Sequence, residues 1–329
     1  MRLKILLAGG TGTIGKSLIE SLTPDYDIYT MSKYPKKNST QNVTWIKGDI
    51  YNYYDVQNAM NGMDLAIFFI DPTKHSAKMT RALAKELNII AADNFGRAAK
   101  VCGVREILYV RGSKFDQETL TQLQSQGVHV RATSKRINRP HISVEFQAAK
   151  YDDIRIAHHI PKPPHWDLNQ CIDQMTHWLS QTTGTRVKIV REGDVFKFYK
   201  KKNNKHLFTF ELERVDHHFY RLVAIESSIS HTKEGKRACI EFRYIAQFNW
   251  IVVHLFDYIP KAFWPIVYMI QVPFYQMLIR GFDTKCRIQT LQHRQLNEEP
   301  LSYTKKEETQ EENNHNKKDA SSLKHISTE

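Results

Sequence analysis

The sequence predicts an α/β protein in which a doubly wound parallel sheet is followed by a smaller α+β domain with a largely antiparallel sheet. Three observations predict this fold class. A glycine-rich turn follows the first apolar run, apolar runs alternate with helix-like stretches through the first half, and β-rich segments with polar turns fill residues 186–248. A chain of 329 residues with 41% hydrophobic residues is long enough for two domains.

The first half has the rhythm of parallel strands joined by crossover helices. The strands are predicted at Leu3–Ala8, Asp27–Ser32, Val43–Lys47, Leu65–Phe69, Ile107–Arg111 and His129–Thr133. The helices are predicted at Lys16–Leu22, Tyr53–Met60, Thr80–Cys102 and Gln117–Ser125. Strands in this order are typical of a doubly wound Rossmann sheet.

A short amphipathic helix, Leu168–Leu179, precedes a break at Gln181-Thr182-Thr183-Gly184. We therefore expect one domain over residues 1–180 and a second over residues 185–292. The strands of the second domain are predicted at Arg186–Arg191, Val195–Lys200, His206–Glu213, Phe219–Glu226 and Ala238–Phe248. Residues 297–329 are rich in Glu, Lys, Asn and Ser and predict a disordered polar tail.

The stretch Asn249–Phe282 is strongly apolar and aromatic, although Asp257, Lys261 and three prolines interrupt it. These interruptions leave no run of the roughly 20 apolar residues that a membrane-spanning helix needs. The favoured interpretation is a helix that covers the second sheet. The alternative is peripheral membrane contact through residues 249–282.

Charge and cysteine content narrow the function classes. The net charge is +12, but the basic residues are dispersed among acids, which favours a small phosphate-bearing ligand over nucleic acid. The four cysteines are far apart and form no C-x-x-C pair, so we expect reduced thiols and a cytoplasmic location. The paired histidines lack supporting Asp, Glu or Cys, and no metal site is predicted.

The turn Gly9-Gly10-Thr11-Gly12-Thr13-Ile14-Gly15 follows the first strand and opens a helix. Gly9 permits a sharp turn, Gly12 lets the backbone approach two phosphates, and Gly15 lets the helix pack on the strand. The unpaired N–H groups of the helix N-terminus then face the anion. This pattern predicts a site for the pyrophosphate of NAD(P), formed by Gly9, Thr11, Gly12, Thr13, Ile14 and Gly15.

The second strand ends without the acidic residue that would bind the adenosine ribose of NAD. Ser32, Lys33 and Lys36 stand there instead, and they favour NADP(H) over NAD(H) because cations suit a 2′-phosphate. A solvated basic loop is the alternative. After the third strand, Asp49 and Ile50 are placed to meet the adenine amino group, although Asp49 also suits an Asx turn.

Together these motifs, over about residues 1–180, resemble the atypical short-chain dehydrogenases/reductases, especially their NmrA-like and NAD(P)H-binding members. The resemblance implies NAD(P) binding at the carboxyl ends of the strands. It also exposes a departure, because the broader superfamily uses a Tyr-x-x-x-Lys pair and residues 114–150 contain no tyrosine. Ser113 is the remaining catalytic candidate beside the nicotinamide, with a helix cap as its alternative role.

The second domain resembles helix-grip domains, in which a curved antiparallel sheet wraps a long helix around an apolar cavity. That resemblance implies a possible apolar small-molecule ligand. Two functions remain open at this point. One is an NADP(H)-dependent oxidoreductase that acts on a small or apolar substrate without the Tyr-x-x-x-Lys pair, and the other is a non-catalytic NADP redox sensor that acts through a protein partner.

Overall fold

A computed structural model describes residues 2–35, 42–70, 77–138, 152–182, 186–233 and 235–299. The strands in chain order are β1 (Lys4–Leu7), β2 (Asp27–Ser32), β3 (Val43–Lys47), β4 (Leu65–Phe68), β5 (Met79–Arg81), β6 (Glu106–Tyr109), β7 (His129–Ala132), β8 (Ile154–Pro161), β9 (Val187–Glu192), β10 (Val195–Lys200), β11 (Lys205–Asp216), β12 (Phe219–Ser227), β13 (Ser230–His231), β14 (Cys239–Ile245) and β15 (Trp250–Pro260). The helices are α1 (Thr13–Leu22), α2 (Tyr53–Met60), α3 (Ala84–Val101), α4 (Asp116–Gln124), α5 (Leu168–Gln181), α6 (Trp264–Ile266) and α7 (Val272–Leu296). A 3₁₀ helix covers Ala246–Phe248 and a π-helix covers Val267–Gln271.

The first sheet is parallel and confirms the predicted doubly wound class. Its order within the described residues is β3-β2-β1-β4-β6-β7. Alternate residues of β1 face opposite sides, so that Ile5 and Leu7 pack with α1 while Leu6 packs with α2, α3 and α4. Only α1 therefore lies on one face among these four helices, and the other three share the opposite face.

The second sheet is mostly antiparallel. Its order within the described residues is β5-β8-β15-β14-β12-β11-β10-β9, with β13 also paired to β15. The pair β5–β8 is parallel. On one face, α5 and α7 contribute to a core that includes Ile172, Phe282, Phe242 and Ile251.

Helix α3 lies between the two sheets and joins them. Every residue from Glu86 to Ala99 is buried, a pattern that a helix with one solvent face does not show. Phe95 packs in the same core as Leu6 of the first sheet and Phe219 of the second. The two sheets therefore share one continuous core through this helix.

Charged side chains are buried where α3 meets the second sheet. Arg243 donates to Asp93 at 2.7 Å and to Glu241 at 2.7 Å, and all three side chains are fully buried. His254 Nδ1 lies 3.1 Å from Glu241. Burial alone would raise the pKa of Glu241, but Arg243 and His254 outweigh it and lower that pKa to about 2.

The prediction of a helix through the start of Asn249–Phe282 was wrong. Residues 250–260 form β15, which pairs with both β8 and β14. Both of its faces are buried, since Val252 packs toward α3 while Ile251 and Val253 pack toward α7. A strand buried on two faces is continuously apolar, and its sequence pattern then matches that of a buried helix.

Two further predictions differ from the structure because they depend on pairing between strands that are far apart in the sequence. Helix α3 begins at Ala84, because Met79–Arg81 form β5 and pair with β8. β8 and α5, which the sequence boundary assigns to residues 1–180, belong to the second sheet and its helical cover. Pairing between distant strands leaves no local signal at a boundary. The predicted tail lies outside the described residues from position 300 onward.

None of the helices in the described part of the chain is long and apolar enough to cross a membrane. Two clefts border α7. One has a volume of about 370 Å³ and lies against β5, β8 and the start of α3, and the other, of about 600 Å³, lies against α5. Both are lined in part by charged or polar side chains, including Arg280 in the first and Lys285 in the second.

Replacing Arg243 by alanine tests the buried charges between the layers. Arg243→Ala should lower the free energy of unfolding by about 3–5 kcal/mol, because Asp93 and Glu241 stay buried without this cation. Urea unfolding followed by circular dichroism at neutral pH measures the change. Arg105→Ala is the control, since its pair with Asp64 is exposed and contributes less than about 1 kcal/mol. Equal losses in the two variants would contradict the assigned role of Arg243.

Candidate functional site

The glycine turn connects β1 to α1 at the carboxyl edge of the first sheet. Gly9 has φ of +122°, which side chains rarely tolerate. A Cβ on Gly10 would lie 2.3 Å from Thr30 Oγ1, and a Cβ on Gly15 would lie 2.5 Å from the Gly9 carbonyl oxygen. Gly10 and Gly15 therefore allow β2 and α1 to pack directly on the turn.

The first turn of α1 is open to a ligand. Gly12 is its N-cap, with extended backbone and no capping side chain, and no acidic residue stands in the first turn. Thr11 and Thr13 are exposed, while Ile14 packs partly against the sheet. The free N–H groups and the helix dipole favour a bound anion at this position.

The end of β2 and the loop after β3 meet in a buried ion network. Lys33 Nζ lies 3.2 Å from Asp153 and 3.5 Å from Asp49, and Arg155 donates to Asp49 at 2.7 Å. We call these four residues the Asp49 cluster. The structure thus brings together Lys33 and Asp49, two of the predicted cofactor residues, and adds two partners from the segment that enters β8.

Asp49 is held as a carboxylate by several donors. Burial would raise its pKa, but Arg155 and Lys33 outweigh burial and keep that pKa well below the usual range. Its Oδ1 also accepts from the Tyr51 backbone N–H at 3.1 Å, which forms the Asx turn. The neighbouring Ile50 carbonyl accepts from Asn94 of α3 at 2.9 Å.

The other residues predicted at this end have separate positions. Ser32 Oγ accepts from the Tyr34 backbone N–H at 3.2 Å. Lys36 lies outside the described residues. Of the residues predicted to favour NADP(H), the structure therefore describes Ser32 and Lys33, and Lys33 is engaged with carboxylates.

Asp257 is a site residue that sequence reasoning did not assign. It lies in a bulge of β15 with φ of +52°, and burial raises its pKa to about 6, with Asp49 and Asp153 also raising it and Lys236 and Lys33 opposing. A strained backbone and a perturbed carboxyl are typical of functional sites. The one feature of the sequence that could have pointed to Asp257 is its position as a single carboxylate inside an apolar stretch.

Ser113 lies in the turn that precedes α4, whose N-cap is Phe115. Its hydroxyl accepts from the Phe115 backbone N–H at 3.1 Å, and its own N–H donates to Asp116 at 2.9 Å. Tyr109 also donates its hydroxyl to Asp116 at 2.5 Å. The side chain is almost fully buried, and its hydroxyl forms a local turn with the backbone rather than the N-cap of α4.

Comparison with known proteins agrees with this geometry. Residues 9–140 match the family model described as NAD(P)H-binding. The chain is 41% identical over 307 residues to the auxiliary protein GraX of Staphylococcus aureus (strain NCTC 8325 / PS 47), covering 93% of this chain and 100% of that protein. The chain belongs to the GraX family. The match at 9–140 confirms the prediction of an NAD(P)-binding Rossmann domain.

Solved structures similar to this GraX-family chain include two enzymes. Triphenylmethane reductase of Citrobacter sp. complexed with NADP(H) has a TM-score of 0.33 and 20% identity, with coverage of 40% of this chain and 48% of that one. Uronate dehydrogenase of Agrobacterium tumefaciens has a TM-score of 0.29 and 19% identity, with coverage of 34% and 41%. The chain therefore spans less than half the length of each enzyme.

Ser113→Ala distinguishes a hydroxyl that only stabilises the turn from one that binds a ligand or takes part in catalysis. We expect a loss of about 1 kcal/mol in unfolding free energy, since one buried hydrogen bond in the turn before α4 disappears, with affinity for NADPH unchanged. Urea unfolding and calorimetric titration measure the two quantities. Ser125→Ala, which removes a hydroxyl bonded to the Gln122 carbonyl, is the matched control. Unchanged stability combined with a tenfold loss of affinity would assign Ser113 to the ligand.

Asp257→Asn tests the raised pKa in the bulge. Below about pH 4 the Asp257 carboxyl is protonated in both the folded and the unfolded protein. Between pH 4 and pH 6 it ionises only in the unfolded protein. The free energy of unfolding of the wild type therefore decreases as the pH rises through this range. The variant should therefore gain roughly 2–3 kcal/mol relative to the wild type between pH 4 and pH 7. Asparagine tolerates positive φ, which keeps the backbone unchanged. Parallel stability curves for the two proteins would refute the shift.

Proposed function

We propose that this chain is a cytoplasmic, dinucleotide-responsive auxiliary protein that binds NADP(H) at the glycine turn and reports its occupancy through the second sheet. The observation that carries the proposal is the Asp49 cluster. It connects the end of β2, where the adenosine of a bound dinucleotide would lie, to Asp153 and Arg155 of the β8 segment. The auxiliary role named for GraX agrees with this assignment.

Ligand binding would change the pairing of Lys33. A 2′-phosphate at the end of β2 competes with Asp153 for the ammonium group, because each needs the same donor at close range. Asp153 directly precedes β8, so its release alters the charges around that strand. A ligand that binds one arrangement better shifts the population toward it, which is the thermodynamic basis of a sensor.

Preference for NADP(H) rests on the same residue. The end of β2 carries no acid of its own, and the carboxylates that hold Lys33 come from other segments. Displacing Asp153 leaves a cation for the 2′-phosphate, whereas NAD(H) offers no comparable anion there. Binding of NADP(H) is thereby coupled to the second sheet more strongly than binding of NAD(H).

Oxidoreductase activity is the competing function, and it needs a proton donor in place of the missing tyrosine. Ser113, the candidate, already accepts a hydrogen bond from the Phe115 backbone N–H in the turn before α4. The expected apolar ligand of the second domain stays a prediction, since the cleft of about 370 Å³ is lined by Arg81, Glu86, His158 and Arg280 beside its apolar residues. These observations favour the sensor.

Calorimetric titration with NADPH, NADP, NADH and NAD tests the proposal, together with Lys33→Ala and the distant exposed control Lys100→Ala. NADPH should bind more tightly than NADH, and Lys33→Ala should weaken NADPH by roughly tenfold because one charged contact is lost, while NADH changes little. Hydrogen exchange over residues 152–161 should change on addition of NADPH.

Three outcomes would count against this function. Failure of all four nucleotides to bind would remove the site. Equal losses for NADPH and NADH in Lys33→Ala would remove the 2′-phosphate contact. Steady oxidation of NADPH with a carbonyl substrate would favour the oxidoreductase instead.

A further inference from the structure

An exposed apolar surface covers the segment that follows β15. Phe263, Ile266, Met269, Ile270 and Met277 are 72%, 48%, 78%, 63% and 59% exposed. We call these five residues the apolar face. No Asp, Glu, Lys or Arg occurs from residue 262 to residue 279. Single exposed apolar side chains are ordinary, but a contiguous group of large ones marks a binding surface.

The segment is held in place from its inner side. Val267 and Val272 are buried in the core beneath α7, and Tyr258 of β15 contacts Tyr275 at 6.1 Å between ring centroids. The π-helix begins at Val267 and ends at Gln271, next to Val272, and such turns are frequent at functional sites. The apolar face is therefore presented by an anchored helical segment.

Four cations lie beside the segment that bears the apolar face. We call Lys78, Arg81, Lys261 and Arg280 the rim, and all four are exposed. Lys78 Nζ lies 3.8 Å from the Trp264 ring centroid, which fixes one side of the rim to α6. Arg81 and Arg280 line the same cleft of about 370 Å³, and neither guanidinium has an ion-pair partner among the described residues.

Acidic groups close to the rim are already engaged. Glu86 accepts from the Leu83 backbone N–H at 2.7 Å and lies 2.9 Å from His159 Nδ1. Asp283 is mostly buried and pairs with Arg287 at 3.1 Å. The exposed charge around the apolar face is therefore positive.

We propose that the apolar face and its rim dock on the surface of an anionic lipid bilayer. The large apolar side chains enter the boundary between headgroups and acyl chains while the rim cations meet lipid phosphates, the arrangement of an interfacial amphipathic segment. Trp264 and Tyr268 belong to the residue types that favour this boundary. Two copies meeting about a twofold axis would instead bring two positive rims together, which disfavours self-association.

Vesicle flotation of the full chain tests the proposal. The wild type should float with vesicles of equal parts phosphatidylglycerol and phosphatidylcholine, and bind pure phosphatidylcholine less. Met269→Glu combined with Ile270→Glu should reduce binding at least about tenfold, since two exposed apolar groups become charged. Arg81→Glu combined with Arg280→Glu should reduce it by roughly fivefold for each cation lost.

Val101→Glu is the matched control, because Val101 is 62% exposed on α3 outside the apolar face, and it should float like the wild type. Quenching of Trp264 fluorescence by brominated lipid, lost in Trp264→Phe, should report contact with the acyl boundary. Thermal unfolding of each variant verifies that it is folded.

Absence of wild-type flotation with anionic vesicles would overturn the proposal, as would undiminished flotation of the Met269/Ile270 variant. Light scattering supplies a further distinction. A dimer in solution that this variant dissociates, without vesicle binding by the wild type, would assign the apolar face to a second copy of the chain and refute the lipid partner.

Discussion

Burial of α3 on two sides is the constraint on which the rest of the structure depends. A helix that packs between two sheets has no face to give to water, so each polar group on it needs a partner inside the protein. Asp93 meets this need through Arg97 and Arg243. The Asn88 side-chain N–H meets it through Thr119, while the buried Asn88 side-chain oxygen has no hydrogen-bond partner among the described residues. The two sheets cannot separate without exposing these pairs and the apolar residues of α3.

The buried charges set the relative position of the sheets more than they add stability. A buried ion pair gains little over an apolar contact of the same shape, but losing one partner leaves an uncompensated charge. Arg243 and Asp93 come from different layers, and so do Asp49 and Arg155. Each of these ion pairs can form in only one relative arrangement of the two sheets. A shift of one sheet by one residue would break both ion pairs.

The first sheet was predicted well because the sequence patterns that define its strands and helices each extend over only a few residues. β2, β3 and α2 have the predicted bounds, since alternation and the glycine turn act over a few residues. Lys33 and Asp49 were each assigned to the cofactor site from the sequence, and the structure places them 3.5 Å apart because the carboxyl ends of neighbouring parallel strands share one edge. Asp153 and Arg155 could not be predicted there, since Arg155 lies 106 positions from Asp49 and nothing local marks the contact.

β8 is the element that touches both proposed sites. Its start carries Arg155 of the Asp49 cluster, and its middle supplies His158 to the cleft shared by Arg81 and Arg280. The register between β8 and β15 shifts between Leu255 and Tyr258, opposite the start of β8, where Asp257 holds a left-handed backbone. A bulge interrupts the ladder of hydrogen bonds and bends the strand that carries it. The Asp49 cluster therefore borders the bulge of β15, the strand that leads directly into the segment bearing the apolar face, and the proposed release of Lys33 would change the charges beside that bulge.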